Sequence, residues 1–308
     1  MSDHKISENK FLIVLAGPTA VGKTAVAIQL AQDLQCEIFS ADSRQIYREM
    51  SIGTAKPNDD ELMKVKHHFI NHISIHQAYT VGHYVKEVNE KLEAYFEDQD
   101  IAILTGGTGM YINALLHGID DFPDVDSATH KLIVGEYEEK GIEWLQQQVA
   151  SVDPIYYNEV DVQNPRRLLR ALEIYRMSGK PYSTFLKTKN TERYHYHVVE
   201  ILLEMPREEL YHRINTRVEN MMVNGLESEA RALYQFRGIK ALDTVGYREL
   251  FSYFDGTIDI NRAVELIKQN SRRYAKRQMT WFKKYGNWSI FNPKHYSEIL
   301  DYVRNAIS

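Results

Sequence analysis

The sequence has very little cysteine: Cys36 is the single one in 308 residues. That excludes an internal disulfide and any multi-cysteine zinc site, and leaves Cys36 as small core filler behind a helical pattern. Long apolar runs are missing too. No stretch approaches the roughly 20 apolar residues that cross a bilayer, and the opening Met1-Ser2-Asp3-His4 does not read as a signal peptide. The expected compartment is the cytoplasm, with no membrane partner. Positive charge is not in excess: 37 Lys and Arg stand against 42 Asp and Glu, for a net charge of −5. A nucleic-acid partner would therefore have to be met by local basic patches. Internal repeats and low-complexity segments are absent. A hydrophobic content of 44% and a charged content of 26% are ordinary for a soluble globular protein of one large or two smaller domains.

What the chain does carry is a phosphate-binding signature, "LAGPTAVGKT" over 15–24. Gly17 is followed by four residues and then by Gly22-Lys23-Thr24. The preceding Phe11-Leu12-Ile13-Val14-Leu15 is an apolar β-type run and Thr24 opens a helical pattern, the strand–loop–helix context the motif requires. Glycines at 17 and 22 let backbone N–H groups converge on phosphate oxygens, and the helix N-terminus adds its dipole. Lys23 supplies a point charge, and the Thr24 hydroxyl is placed to ligate Mg²⁺.

The first third alternates strand and helix patterns. A strand over 11–17 leads into a helix over 23–35, with Ala27, Leu30, Ala31 and Leu34 at helical spacing. A short run over 37–41 ends at Asp42, a helix follows from about Gly82 to Phe96, and the apolar run 101–104 ends in glycines. This predicts an α/β fold: a P-loop three-layer core with a parallel sheet and helices on both faces. From Gly118 to His195 the texture changes to short helices punctuated by Pro123, Pro154, Pro165 and Pro181. "HVVEILLEM" (197–205) returns to the sheet, and Pro206 starts a helix in its first turn. Further helices are expected over 206–223, 226–236, 246–254 and 260–284, with "WSIFN" (288–292) as a last strand before a closing helix. The expected organisation is a first core part over 1–120, a helical insertion over 121–195, and a return to the core over 196–308.

A triphosphatase or kinase also needs an apolar strand ending in a metal-holding acid. The strand 101–104 ends instead in Thr105-Gly106-Gly107-Thr108. Asp42 is the acid in comparable position, and on residue type it is open to three readings: metal ligand, general base, or turn residue capping Ser43-Arg44-Gln45. In "GGTGMY" Thr108 reads as a helix N-cap or as part of a site. Arg166 and Arg170 lie on one helical face with Arg167 beside them, a pattern that an ordinary solvated face also shows. Histidines 67, 68, 72 and 76 share no single face and read as core or loop residues.

The segment 271–284 is more pointed. At about 100° per residue, Arg272, Arg273, Lys276, Arg277, Lys283 and Lys284 fall within an arc of about 140°. Tyr274, Ala275, Met279, Trp281, Phe282 and Tyr285 fall on the opposite arc. No acid interrupts the basic face, which favours an anionic partner.

Together "GPTAVGKT", "ADSRQIY", "IGTAKP", "GGTGMYINALLHG", "NPRRLLRALEIYRMSGKP", "TVGYRE" and "SRRYAKRQMTWFKK", in order from residue 17 to residue 284, resemble the tRNA dimethylallyltransferases, the bacterial tRNA isopentenyltransferase family. The resemblance implies that the loop Gly17, Pro18, Thr19, Ala20, Val21, Gly22, Lys23 and Thr24 holds the diphosphate of dimethylallyl diphosphate. The acceptor it implies is the exocyclic amine of the adenosine just 3′ of the anticodon in tRNA. Asp42 would then take a hydrogen bond or proton from the amine. Lys23, Thr24 with Mg²⁺, the loop amides and Arg217 would stabilise the departing diphosphate. Contacts to tRNA would come from Asp42, Ser43, Arg44, Gln45, Thr108, Arg166, Arg167, Leu168, Leu169, Arg170, Arg273, Arg277 and Lys284, in a monomeric enzyme. The zinc-finger extension of eukaryotic members finds no counterpart in a chain with one cysteine, and the segment 121–150 is acidic for an insertion that faces RNA. Two rivals remain at this point: a small-molecule kinase on the same P-loop fold, binding ATP, and a nucleotide-gated RNA-binding protein.

Overall fold

The computed structural model describes residues 9–120, 122–186 and 195–308. The chain divides into two compact units, one made of 1–116 with 194–308 and the other of 117–193.

The larger unit is built on a parallel sheet. β1 (Phe11–Ala16), β2 (Glu37–Ser40), β3 (His67–His68) and β4 (Ile101–Gly106) come from the first part of the chain; β5 (His197–Leu203) and β6 (Ser289–Phe291) come from the last. Their order is β3-β2-β4-β1-β5-β6, and every pairing is parallel. Alternation in β1 divides the core. Ile13 and Leu15 face one side with Val26, Ala27, Leu30 and Ala31 of α1 (Lys23–Leu34), while Leu12, Val14 and Ala16 face the other with Tyr84, Val88 and Leu92 of α3 (Val81–Asp98). The short α2 (Asp59–Lys64) intervenes between β2 and β3. A sheet covered by helices on both faces is the three-layer core that the alternation predicts. Cys36 packs into it, 7% exposed, and its burial pushes the thiol up to about 12, so it is inert filler.

β4 is followed by α4 (Gly109–His117), and β5 by α8 (Arg207–Val223), α9 (Leu226–Leu233), α10 (Tyr247–Phe254) and α11 (Ile260–Lys284). α12 (Tyr296–Ala306) closes the chain and packs Ile299 and Val303 on the α1 side. α11 is the spine of this unit. Its Ala263 and Ile267 join a core with α9 and α10, Ala275 joins the α1 face, and Phe282 joins the α3 face. Differences from the sequence expectation are local. Pro206 sits just outside α8 as its cap, and α9 ends at Leu233 in a tighter turn over Tyr234–Phe236. β3 is an addition, because two residues carry no periodicity.

The smaller unit is helical: α5 (Ser127–Val152), α6 (Pro154–Glu159) and α7 (Pro165–Ser178). α5 is longer than the short helices expected there, but it breaks at Gly141, where φ is 78° and ψ −174°. Ile133, Leu145 and Val149 of α5 pack on Leu168, Ala171 and Leu172 of α7. Asp153, 1% exposed, holds the turn together by accepting hydrogen bonds from the Tyr156 and Ser183 amides and the Ser183 hydroxyl.

Candidate active site

Strand order explains why three separate segments meet. β4 lies between β1 and β2, so the loops that leave the carboxyl ends of these strands are neighbours. They are the phosphate loop after β1, Asp42 after β2 and Gly107-Thr108 after β4. The approach is close enough to require a glycine: a Cβ at Gly106 would stand 2.1 Å from the Ala41 carbonyl oxygen.

In the loop, Gly22 caps α1 at φ 112°, a left-handed conformation that glycine adopts without strain. Lys23 Nζ donates to the carbonyl oxygens of Gly17 and Pro18, both at 2.9 Å. Burial pushes the Lys23 ammonium down to about 8; the Asp42 carboxylate opposes that shift and the Arg217 guanidinium reinforces it. Arg217 is lowered by the same burial, with Asp42 opposing. It donates to the Thr19 hydroxyl at 3.0 Å and to the Ala55 carbonyl at 3.4 Å. Lys23, Arg217 and Asp42 thus act on one another, two cations and one acid beside a helix N-terminus.

The Thr19 amide differs from expectation. It donates to Gln278 Oε1 at 2.9 Å, while Gln278 Nε2 donates to the Gly107 carbonyl at 2.9 Å. Gln278 is 6% exposed and bridges the phosphate loop, the end of β4 and α11. The Thr19 N–H is therefore taken up within the protein, and the amides open to a phosphate lie elsewhere in the loop. Gln278 escapes the sequence reading, although it is detectable as the one amide among the rings and methyls of the apolar arc.

Asp42 combines two of its readings. Oδ1 accepts from the Arg44 and Gln45 amides at 2.8 and 3.2 Å, a side-chain turn; among the described residues nothing donates to Oδ2. Thr108 does not spend its side chain on capping α4. Its Oγ1 accepts from the Ser43 amide at 3.0 Å and lies 3.2 Å from Ser43 Oγ, while its own amide donates to Ala41. Gln45 Nε2 donates to the carbonyls of Thr54 and Ala55, both at 3.1 Å. That loop is fixed in turn by Glu229, which accepts from the amides of Ser51, Ile52 and Gly53 and from the Tyr247 hydroxyl at 2.6 Å. Nothing in the spacing of Glu229 foretells this.

The middle of α11 stands beside Asp42. The Tyr274 hydroxyl is crowded by protein and sits in the field of Asp42, which together push it up to about 12, against Arg44 and Arg277. The Tyr274 ring itself is 38% exposed, so it lines an open surface and does not join the apolar core. Arg277 lies 5.8 Å from that ring.

The six basic residues of α11 are not equivalent. Arg272 donates to Asn215 at 2.5 Å and Lys283 pairs with Glu204 at 2.7 Å, so two are engaged by other elements. Among the described residues no acid lies within ion-pair distance of Arg273, Lys276, Arg277 or Lys284. On α7, Arg166 and Arg167 are at least partly open to solvent, while Arg170 pairs with Glu173 at 3.6 Å and lies 5.9 Å from the Phe122 ring. Leu168 is 0% exposed and its side chain serves the helical core, so any contact it makes to RNA would be through its backbone. Leu169 is partly buried against the same core.

The chain has extensive similarity to known proteins. The family model described as IPP transferase matches residues 45–285. A tRNA dimethylallyltransferase of Christiangramia forsetii is 47% identical over 302 residues, covering 97% of this chain and 99% of that protein. The chain belongs to the tRNA dimethylallyltransferase family. A second member, from Flavobacterium johnsoniae, is 48% identical over 301 residues, covering 96% and 97% of the two chains. Solved structures of tRNA dimethylallyltransferases and isopentenyltransferases share the fold. The tRNA isopentenylpyrophosphate transferase of Bacillus halodurans has a TM-score of 0.70 at 34% identity, covering 97% of each chain. A eukaryotic dimethylallyltransferase captured acting on tRNA has a TM-score of 0.80 at 25% identity, covering 96% of this chain and 80% of that one.

Proposed function

We propose that this tRNA dimethylallyltransferase takes its prenyl group from dimethylallyl diphosphate and attaches it to the exocyclic amine of the adenosine 3′ of the anticodon. The observation that carries the reading is Asp42: an acid with one open oxygen, at the carboxyl edge of the sheet, in the field of the cations that serve the phosphate loop. The amine nitrogen attacks the allylic carbon, the carbon–oxygen bond to the diphosphate breaks, and Asp42 Oδ2 takes the proton the nitrogen loses. Lys23, Arg217 and the remaining loop amides hold the diphosphate as its charge grows. The donors nearby are hard oxygens, the Thr24 hydroxyl and a single carboxylate. They fit Mg²⁺, which keeps several waters and binds largely through phosphate oxygens. Thr24 would hold the ion, which when bound neutralises diphosphate charge.

The adenine has to leave its stack to reach a site between strand ends, and a single-stranded loop permits that. Arg273, Arg277 and Lys284 supply charge for RNA phosphates, with Arg166 and Arg167 as further contacts from the helical unit. The compartment that goes with this substrate is the cytoplasm. A kinase reading has less support, because β4 ends in glycines. The test is incubation with radiolabelled dimethylallyl diphosphate and unmodified tRNA. Label in the RNA, at the adenosine 3′ of the anticodon, is the expected result. ATP hydrolysis without transfer points to the kinase, and RNA binding without either reaction points to a binding module.

A further inference from the structure

We propose that Arg213 is a second arginine on the donor's diphosphate, alongside Arg217, a reading that rests on the phosphate loop holding such a donor. Both residues project from α8 and lie four apart, one turn of helix. The Arg213 guanidinium lies over the start of α1: its two terminal nitrogens stand 3.5 and 3.9 Å from where a Cβ on Gly22 would be. Its positive charge lowers the Arg217 guanidinium, so the two repel each other at the mouth of the loop. Among the described residues Arg213 has no carboxylate within ion-pair distance and no hydrogen-bond partner, although it is exposed and free to swing away. Two cations held one turn apart destabilise a helix unless an anion sits between them. Arg217 also acts on Lys23, at the N-terminus of α1, and this concentration of positive charge suits a group carrying charge on both of its phosphorus centres. Arg217 is anchored by Thr19 and Ala55. Arg213, which has no such anchor among the described residues, is left to meet the outer phosphate.

The test compares Arg213→Gln and Arg213→Lys with the parent enzyme, using inorganic pyrophosphate with Mg²⁺ as the probe in calorimetry and thermal shift, and labelled donor in transfer assays. Losing one charge-assisted hydrogen bond to phosphate should weaken pyrophosphate binding by about ten- to a hundredfold in the Gln variant. The KM for donor should rise in parallel, and Lys should recover part of the loss. Without ligand the Gln variant should melt no lower than the parent, since a repulsion is removed; a residue that merely supports the fold would lower it. tRNA affinity and its salt dependence should stay as they were. Unchanged pyrophosphate binding overturns the proposal, and so does a loss of tRNA affinity with a flatter salt slope, which would make Arg213 an RNA contact. Parent enzyme that binds pyrophosphate through Arg213 yet transfers no label would leave this assignment standing and remove the prenyl-transfer reading.

Discussion

The phosphate loop and the basic face of α11 belong to the same unit, and the chain builds them in opposite ways. The loop is closed by residues a few positions apart: Lys23 turns back to Gly17 and Pro18, and Gly22 caps the helix that Lys23 begins. The basic face has one helix as its backbone, but which of its cations are available is decided by Asn215 and Glu204, tens of residues upstream. A function written into contiguous residues survives being read as a string. One that depends on what a distant element takes up does not. Gln278 joins the two, since it lies on α11 and holds the Thr19 amide of the loop.

The largest effect expected is on the chemical step, and it tests whether the loop half extends to Asp42. Asp42→Ala should lower the single-turnover rate by about a hundredfold or more, the scale of a positioned general base. Affinity for pyrophosphate should be kept or raised, because a negative charge beside Lys23 and Arg217 is removed. A preserved rate with collapsed donor binding would reassign Asp42 to metal or structure.

Next in size is the RNA half. Replacing Arg273, Arg277 and Lys284 together by Gln removes three cations that no acid within the described residues holds. For every RNA phosphate deprived of its cation, the dependence of log affinity on log salt should flatten by about 0.7 to 0.9, so the slope should fall by about two to three. Donor affinity in the absence of RNA should change little. An unchanged slope in a folded variant would mean that RNA is gripped elsewhere.

How much is legible in the sequence follows the same division. The β–loop–α start, the parallel sheet with helices on both faces, and the bounds of α11 at 260 and 284 all follow from local pattern, and the structure agrees with each. Thr108 reads as a cap or a site residue, and the structure gives its hydroxyl to Ser43 across 65 positions, a pairing no local pattern encodes. The Glu229 carboxylate is invisible for the same reason: its partners Ser51–Gly53 are far away in sequence and are backbone groups, which carry no sequence information. Leu168 is drawn into the RNA-facing set by its neighbours in "RRLLR", although its burial beside Ala171 and Leu172 is what helical spacing demands.

A smaller, graded effect concerns Lys23. Its folded value near 8 lies below the ordinary value of about 10.4, so between these limits the unfolded chain holds the extra proton. This group therefore adds stability as pH rises from about 8 to about 10 and adds none below 8. Diphosphate binding works the other way. A bound anion favours the charged ammonium, so the affinity ratio of parent enzyme to Lys23→Arg, whose guanidinium stays charged, should be flat below pH 8. Above it the ratio should fall by up to about tenfold per unit. A ratio that stays flat to about pH 9.5 would show that Lys23 remains charged without ligand, and that its burial is less costly than the surrounding groups suggest.

The smallest effect is the most discriminating for the comparison between the two halves. Arg272 and Lys283 lie within the same basic arc of α11 as the three residues neutralised above, and by charge pattern alone all five are alike. The structure separates them, because Asn215 on α8 takes Arg272 and Glu204 takes Lys283. Glu204 matches the charge of Lys283 and the Asn215 side-chain oxygen holds the Arg272 guanidinium, and moving either cation to a phosphate would cost the partner it leaves. Arg272→Gln with Lys283→Gln should therefore leave the salt slope of tRNA binding within error of the parent. It should lower stability by about 1–2 kcal/mol, the worth of one charged hydrogen bond and one surface pair. Measured beside the triple variant, at equal change in charge per residue, the two proteins ask whether RNA affinity follows the number of cations or their freedom. If the pair flattens the slope in proportion to its two charges, the face acts as an undifferentiated field. The bonds to Asn215 and Glu204 would then give way when RNA arrives.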